Sequence, residues 1–436
     1  MKNKTHELLR YALPAVVENI LQTSLGFVDG LLIAKISLVA VSAVSLVNGI
    51  MAVYQAVFIA LAVAVATVIS NSIGAKKTTA RSDAIHDAVL LALLLGLVLS
   101  LFSLLFAQPI LWALGARGAL WQQGCLFFRV VAGSSILMVL MTVLGQLIRT
   151  ADRPKTPMVI NLVVNLLNFV LDLLLIFGYF GLPKLGVLGV GIGTALARLV
   201  GVGLLFYQLQ KTPHRITAAI MRRQTSVFRS DIVKRALPIM GERLMMRLGD
   251  VLIFALIIAY GTKVFAGNSI GETLTAYNYL PAFGFATGVS ILIGRAFGAK
   301  DQAQVQVLTR QSLVITAVVS TVLGGLIFAL SPMMLHFFTQ DPTAIAAARI
   351  VVLISFVSEP IVSGVIIYTA ALQATGDAKS PFYITMAGMW VIRIGLAWLL
   401  GTRLGLGLLG VWLATILDNL FRVIVLKLRY ERRIRN

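Results

Sequence analysis

The stretch VAVSAVSLVNGIMAVYQAVFIALAVAVATVISNSI, residues 39–73, runs for thirty-five positions without one Asp, Glu, Lys, Arg or His. A helix in a soluble core keeps one polar face. A run this long and this apolar reads as a membrane span, for which roughly 20 residues suffice. The whole chain shares the character: of 436 residues, 58% are hydrophobic and 12% charged, and mean hydropathy is +0.92. Soluble domains carry about 25% charged residues. This composition argues against a soluble enzyme, a nucleic-acid module, a disulfide scaffold and a disordered chain. Cys125 is the one cysteine, so no internal disulfide is expected. His6, His86, His214 and His336 are scattered, and no transition-metal motif joins them.

Apolar runs bounded by Gly, Pro and charge predict twelve spans. They are 11–34, 39–73, 84–108, 119–148, 155–178, 186–209, 232–260, 264–296, 304–331, 343–373, 380–401 and 406–428. The basic N-terminus leads straight into the first and predicts an uncleaved helix. The longest polar connection, QKTPHRITAAIMRRQTSVFRSD (210–231), divides the chain into an N-terminal lobe, 1–209, and a C-terminal lobe, 232–436. Segments outside the spans alternate in charge. With adjoining helix ends included, one set holds 26 of the 37 Lys and Arg; the other holds Lys35, Arg117, Lys184, Lys263 and Arg403. Arg129, Arg198, Arg243, Arg247, Arg349 and Arg393 fall inside spans. The positive-inside rule then places both termini and the 210–231 connector in the cytoplasm of a multi-pass inner-membrane protein. It also accounts for most of the +20 net charge without nucleic acid.

The two halves repeat. Leu13-Pro14 returns as Leu237-Pro238, Gly74-Ala75-Lys76 as Gly298-Ala299-Lys300, and Pro157 as Pro381, each at an offset of 224. LGVLGVGIGT (185–194) returns as LGLLGVWLAT (406–415) at an offset of 221. Ordered matches at nearly one offset signal a duplication. Six spans per half make the repeats parallel, a layout of transporters that move two halves around a midplane site.

ALPAVVENILQTSLGFVDG (12–30), the Gly-Ala-Lys-Lys turn after the second span, NLLNFVLDLLLIFG (165–178) and LGVLGVGIGTA (185–195) together resemble the MATE (multidrug and toxic compound extrusion) transporters, closer to the DinF-like and archaeal branch. The resemblance covers essentially the whole chain. It implies an all-α protein of two six-helix lobes. The implied activity is cation-coupled antiport, exporting organic and often cationic compounds by alternating access.

Charge inside a bilayer is costly, so each buried acid needs a partner or a purpose. Asp29 lies 18 residues into the first span and Asp172 lies 17 into the fifth, counted from the same side. At about 1.5 Å per residue both sit roughly 26 Å along their helices. Asn161, Asn165, Asn168 and Asp172 share one helical face, and Gln22 shares a face with Asp29. Carboxyls among amides can hold a proton, or Na⁺ through their oxygens. Within the family resemblance, Asp29, Asn168 and Asp172 match the first-lobe cation site, and Thr194 matches a threonine joined to it. Asn165 is added from the polar face. H⁺ is the favoured coupling ion, with Na⁺ at Asp29 and Asp172 as the alternative, and no cofactor is expected. Packing glue or an ion pair from Arg198 competes with this reading.

Gln22, Met51, Tyr54 and Asn161 are candidates for a substrate pocket; Phe58 continues the stripe of Met51 and Tyr54, for which plain packing is the stronger reading. Glu242, Asp250 and Glu359 are second-lobe candidates, weakened by Arg243 and Arg247 beside them. Glu18 and Asp418 read as lone acids. The expected partners are small organic compounds and membrane lipid, with no nucleic acid, the chain acting as a monomer. A lipid-linked saccharide flippase of the same superfamily is the alternative within transport. An embedded transferase would need paired metal-binding acids such as Asp-Asp-x-x-Asp, which do not occur, so no enzyme activity is expected.

Overall fold

The computed structural model describes residues 2–181, 183–217 and 230–435, with the side chains of 2–4, Leu25 and Phe27 also outside the description. Among the described residues there are helices and turns but no strand. A helix satisfies its backbone N–H and C=O groups within one segment, as hydrocarbon demands, and runs of this length and apolarity suit it.

Fourteen helices form in order among the described residues. They are α1 (Lys2–Ala34), α2 (Leu38–Gly74), α3 (Thr78–Ala113), α4 (Gly118–Val131), α5 (Ser135–Thr150), α6 (Lys155–Phe177) and α7 (Val187–Gln210). After the connector come α8 (Asp231–Ile258), α9 (Thr262–Thr275), α10 (Leu280–Gly298), α11 (Gln302–Phe338) and α12 (Pro342–Ala374). The last two are α13 (Lys379–Arg403) and α14 (Gly407–Arg435).

These make twelve crossing-length segments. Ten are long and apolar enough by themselves, with α9 and α10 counted as one; α4 and α5 form an eleventh, bent by 41°. The twelfth, α8, has 28 residues but carries Glu242, Arg243, Arg247 and Asp250. The bend between α4 and α5 has a cause. A Cβ at Gly133 would overlap the carbonyl of Arg129, and the Ile136 N–H leaves the helix pattern to donate to Ser100 Oγ at 3.1 Å. The Gly-Ala-Lys repeat closes α2 and α10 with the same turn: Lys76 has φ 55° and Lys300 φ 60°.

The chain divides into two compact units. One comprises residues 17–69 and 77–234; the other comprises 1–16, 70–76 and 235–436. In the first, α3 packs on α4 and α5, and α7 packs on α4, α5 and α6. In the second, α12 is central and touches α9, α10, α11 and α14. The first turns of α1 therefore belong with the second unit, where Leu8, Tyr11 and Ala12 are buried against Phe285, Val289 and Ile367. The expected division at 210–231 follows the repeat rather than these contacts. Residues 218–229 of that connector lie outside the described residues. Within the described part, His214 is buried and its Nδ1 lies 3.0 Å from the Leu147 carbonyl.

Close approach replaces the hydrophobic drive that lipid cannot supply. A Cβ at Gly267 would strike the Ala344 backbone, and one at Gly271 would strike Val351, so α9 and α12 meet backbone to side chain. In α13, Gly388–Arg393 and Ala397–Arg403 adopt wider π turns. Each wide turn rotates the residues after it relative to a regular helix.

Outside the spans, the turn between α12 and α13 is fixed by Asp377. Its carboxylate accepts from the Ser380 N–H at 3.0 Å, the Ser380 hydroxyl at 2.8 Å and Arg429 Nε at 2.8 Å. Burial works against ionisation here, but the Ser380 bonds and the Arg429 guanidinium outweigh it and hold the carboxyl below the usual range. A depressed carboxyl stabilises the fold above its ordinary value and loses that contribution as pH falls through the depressed one. Asp377→Asn is therefore expected to lower Tm by roughly 2 °C at pH 7. The difference should vanish once pH is well below the ordinary aspartate value of about 3.9. Thermal unfolding of the purified pair across that range checks it.

Candidate functional site

The polar face of α6 meets the glycine-rich start of α7. Asn168 Nδ2 donates to Asp172 Oδ1 at 3.0 Å and reaches Thr194 Oγ1 at 3.5 Å. The Thr194 hydroxyl donates to the Val190 carbonyl at 2.8 Å, which leaves its oxygen free to accept. Asp172 is 1% exposed. Its pocket exists because position 193 is glycine, where a Cβ would overlap Asp172 Oδ1. From α1, the Asp29 carboxylate acts on Asp172 through space. Among the described residues neither acid is in an ion pair. Arg198, the competing partner, makes none with them, and its Nη1 has no hydrogen-bond partner.

Asp29, Asn168, Asp172 and Thr194 thus fall in one neighbourhood. Asn165 is half-buried on the same face and takes no part in these bonds. Asn161 belongs elsewhere. It donates to Glu18 Oε1, whose other oxygen accepts from Arg149. Arg149 also donates to Gln146 at 3.2 Å. Glu18, read as a lone acid, is therefore the centre of a cluster, and its arginine lies beyond the reach of sequence spacing at 131 positions away.

Gln22 is exposed on α1. Met51, Tyr54 and Phe58 are buried, and the Tyr54 hydroxyl bonds Ser103 on α3 at 2.9 Å. In this conformation they pack α2 against its neighbours.

The second unit repeats the cradle with different contents. A Cβ at Gly388 on α13 would overlap Asp418 Oδ1, as Gly193 cradles Asp172. Here the acid sits on the later helix of the pair. Two arginines hold it: Arg393 Nε at 2.8 Å and Arg422 Nη2 at 2.7 Å, both on Oδ2. Asp418 is 0% exposed. It is not a lone acid but the core of an ion network, and Arg422, counted with a basic helix end, is buried at 4% exposure.

The second-lobe candidates separate. Glu242 accepts from Gln373 Nε2 at 3.0 Å and Thr385 Oγ1 at 3.3 Å. Asp250 lies 3.8 Å from Arg393 Nη1. Glu359 is 1% exposed, with its Cγ against Gly324 beside Asn278. Glu272 on α9, an acid inside a span that the spacing argument does not single out, is acted on by Asp250. Its signal is present in the chain: one formal charge in the polar run Gly267-Asn268-Ser269-Ile270-Gly271-Glu272, followed by the short 3₁₀ turn Ala276–Tyr279. Among the described residues no group of three His, Cys, Asp or Glu is placed to hold a metal ion.

Known proteins share this plan. A probable multidrug resistance protein NorM of Thermotoga maritima is 29% identical over 417 residues, covering 95% of this chain and 90% of that protein. An uncharacterized transporter YisQ of Bacillus subtilis is 29% identical over 332 residues, covering 75% and 72%. Among solved structures, the outward-facing conformation of a multidrug resistance MATE family transporter of the MOP superfamily superposes with a TM-score of 0.91 at 20% identity. It covers 99% of this chain and 96% of that one. The MatE family profile matches residues 14–174 and again 238–399. The two matches begin 224 residues apart, the offset of the internal repeat. The chain belongs to the MatE family, a family of multi-pass membrane transporters.

Proposed function

We propose that this chain is an antiporter of the inner membrane, with both termini cytoplasmic. It exports organic and often cationic compounds in exchange for protons, Na⁺ being the alternative ion, by alternating access. It acts as a monomer in lipid, without cofactor, nucleic acid or chemical turnover. The names of the relatives, probable multidrug resistance proteins among them, support the substrate class. One observation carries the coupling: among the described residues Asp172 is buried beside Asn168 and pairs with no arginine, while Asp418, in a cradle of the same kind, is held by two.

A carboxyl without a fixed counter-ion has two ways to be neutralised inside a membrane. It takes up a proton, or it faces a cationic ligand. Two negative charges in one neighbourhood inside a membrane cost more than one, so a proton or a cation placed there relieves both. Proton and organic cation then compete for the same charge. The proton-rich outer side favours protonation, and the organic cation is released there. Asn168 and Thr194 position the carboxylate, and Gly193 gives it room. Asp418 is spared this chemistry because its charge is always balanced. It serves as structure.

Asp29→Asn and Asp172→Asn are each expected to reduce drug resistance in cells to the level of an empty vector, with the protein still inserted and folded. Wild-type resistance in a well-expressed Asp29→Asn/Asp172→Asn double variant would sink the coupling assignment. Asp418→Ala should do the opposite. It leaves buried Arg422 without its carboxylate and Arg393 with only the longer contact to Asp250, at a cost of about 3–5 kcal/mol, so yield and thermal stability fall before any change in coupling.

Affinity for an organic cation, measured on purified protein by fluorescence anisotropy, should weaken as pH falls. The profile should flatten in Asp29→Asn. A response that persists there and disappears in Glu242→Gln would move the coupling site to the second unit.

A further inference from the structure

The start of α13 and the end of α14 pack together in the second unit, and a groove of about 550 Å³ runs between them. Small-molecule sites occupy roughly 300–1,000 Å³. The first helix contributes Ser380, Tyr383 and Ile384; the second contributes Val425, Leu428, Arg429 and Arg432. Spacings of three and four residues put each set on one helical face. The groove is graded in polarity. Arg432 lies near the end of α14, and Val425 lies seven residues deeper, roughly 10 Å along the helix. Along the deeper part, Ile384 and Val425 are half-buried, while Tyr383 is 58% exposed and Leu428 50%. Apolar walls thus lead up to two guanidiniums.

The two arginines differ. Arg429 is fixed in place, its Nε donating to Asp377 Oδ2 at 2.8 Å and to Ser380 Oγ at 2.9 Å. Asp377 balances its charge, but among the described residues its terminal nitrogens make no bond. Arg432 is exposed and, among the described residues, makes neither a hydrogen bond nor an ion pair. The acid next to it, Glu431, lies 4.0 Å from Lys427, and both point away from the groove face by their spacing. Lys379 and Arg433 do not line the groove, and Arg433 donates to the Thr375 carbonyl at 3.0 Å. Arg435, one turn beyond Arg432, adds charge of the same sign. The groove itself therefore carries one positive charge without a counter-ion, set beside the open N–H donors of Arg429.

We propose that this groove docks one anionic phospholipid, its phosphate between Arg432 and the terminal nitrogens of Arg429 and the upper part of an acyl chain along Tyr383, Ile384, Val425 and Leu428. Charge and grading choose the occupant together. Guanidinium matches phosphate through paired, charge-assisted hydrogen bonds. A free phosphate would leave the apolar walls unfilled. A zwitterionic lipid brings its own cation and leaves Arg432 unbalanced, whereas a lipid of net negative charge balances it. Tyrosine suits the level at which headgroup meets chain. The lipid would bridge α13 and α14 where Asp377, Ser380 and Arg429 already clasp them, and so brace the turn between α12 and α13. The inference rests on the chain being a membrane protein and not on the export reading.

The test titrates the full chain in detergent with phosphatidylglycerol or phosphatidylcholine and counts bound lipids by native mass spectrometry. Wild-type protein should hold one phosphatidylglycerol more tightly than any phosphatidylcholine. Arg432→Gln should weaken that first phosphatidylglycerol by about fivefold, the scale of one basic residue at an anionic surface, and leave phosphatidylcholine unchanged. Lys427→Gln removes an equally exposed cation from the other face and should change neither. Leu428→Ser should weaken phosphatidylglycerol without altering the charge. Because Arg432 and Leu428 are exposed, both variants are expected to fold. In parallel, phosphatidylglycerol should raise the Tm of wild-type protein more than that of Arg432→Gln. Equal binding of the two lipids by wild type, no loss in Arg432→Gln, or an equal loss in Lys427→Gln would overturn the site. Glycerol 3-phosphate separates the sources of phosphate. Failure to displace the lipid supports a site that reads headgroup and chain together, and displacement at equal concentration would overturn it in favour of a soluble phosphate.

Discussion

A carboxylate in hydrocarbon must be met by a proton, a metal ion or a cation within a few ångströms, and most polar features of this chain answer to that requirement. The two units solve it in opposite ways with the same side chain in the same kind of cradle. Glycine at 193 admits Asp172, and glycine at 388 admits Asp418. Around Asp418 the chain supplies Arg393 and Arg422, so the charge is settled permanently. Around Asp172 it supplies Asn168 and, among the described residues, no arginine. One chain thus holds two glycine-cradled acids, one inside an ion network and one outside any.

The backbone contributes to that separation. The π turn over Gly388–Arg393 adds a residue to a turn and rotates the rest of the helix. Arg393 ends the turn with its Nε 2.8 Å from Asp418 on the adjacent helix. No such turn interrupts α6, whose regular 3.6-residue period keeps Asn161, Asn165, Asn168 and Asp172 on one stripe. Regular helix presents a ladder of amides; wide helix aims one guanidinium.

Much of the architecture is legible in the chain itself. Apolar runs and their punctuation mark the crossing segments, even α8 with its four internal charges, because a membrane permits little but helices of a set length. Depth can be read by counting residues, which is why Asp29 and Asp172 pair on spacing alone. Rotation and neighbour choice cannot be counted. Asn161 shares the stripe of Asp172 yet turns to Glu18 and Arg149, since α5 passes nearer that end of α6. Tyr54 lies on a stripe that looks like a pocket wall and spends its hydroxyl on Ser103. Arg422 falls in with a basic tail because charge counting is one-dimensional, whereas its burial depends on Asp418 one turn earlier and on α13 beside it. Glu272 is hidden by the hydropathy of its surroundings.

The first turns of α1 fill a place in the core of the other sequence half. Leu8, Tyr11 and Ala12 are packed among Phe285, Val289, Ile367 and Leu372, and residues 70–76 join the same unit. The second unit's core is therefore incomplete without a segment from the other half of the sequence. A chain cut at the 210–231 connector would leave that core short of Leu8, Tyr11 and Ala12, so the halves of the sequence are not interchangeable with halves that fold alone.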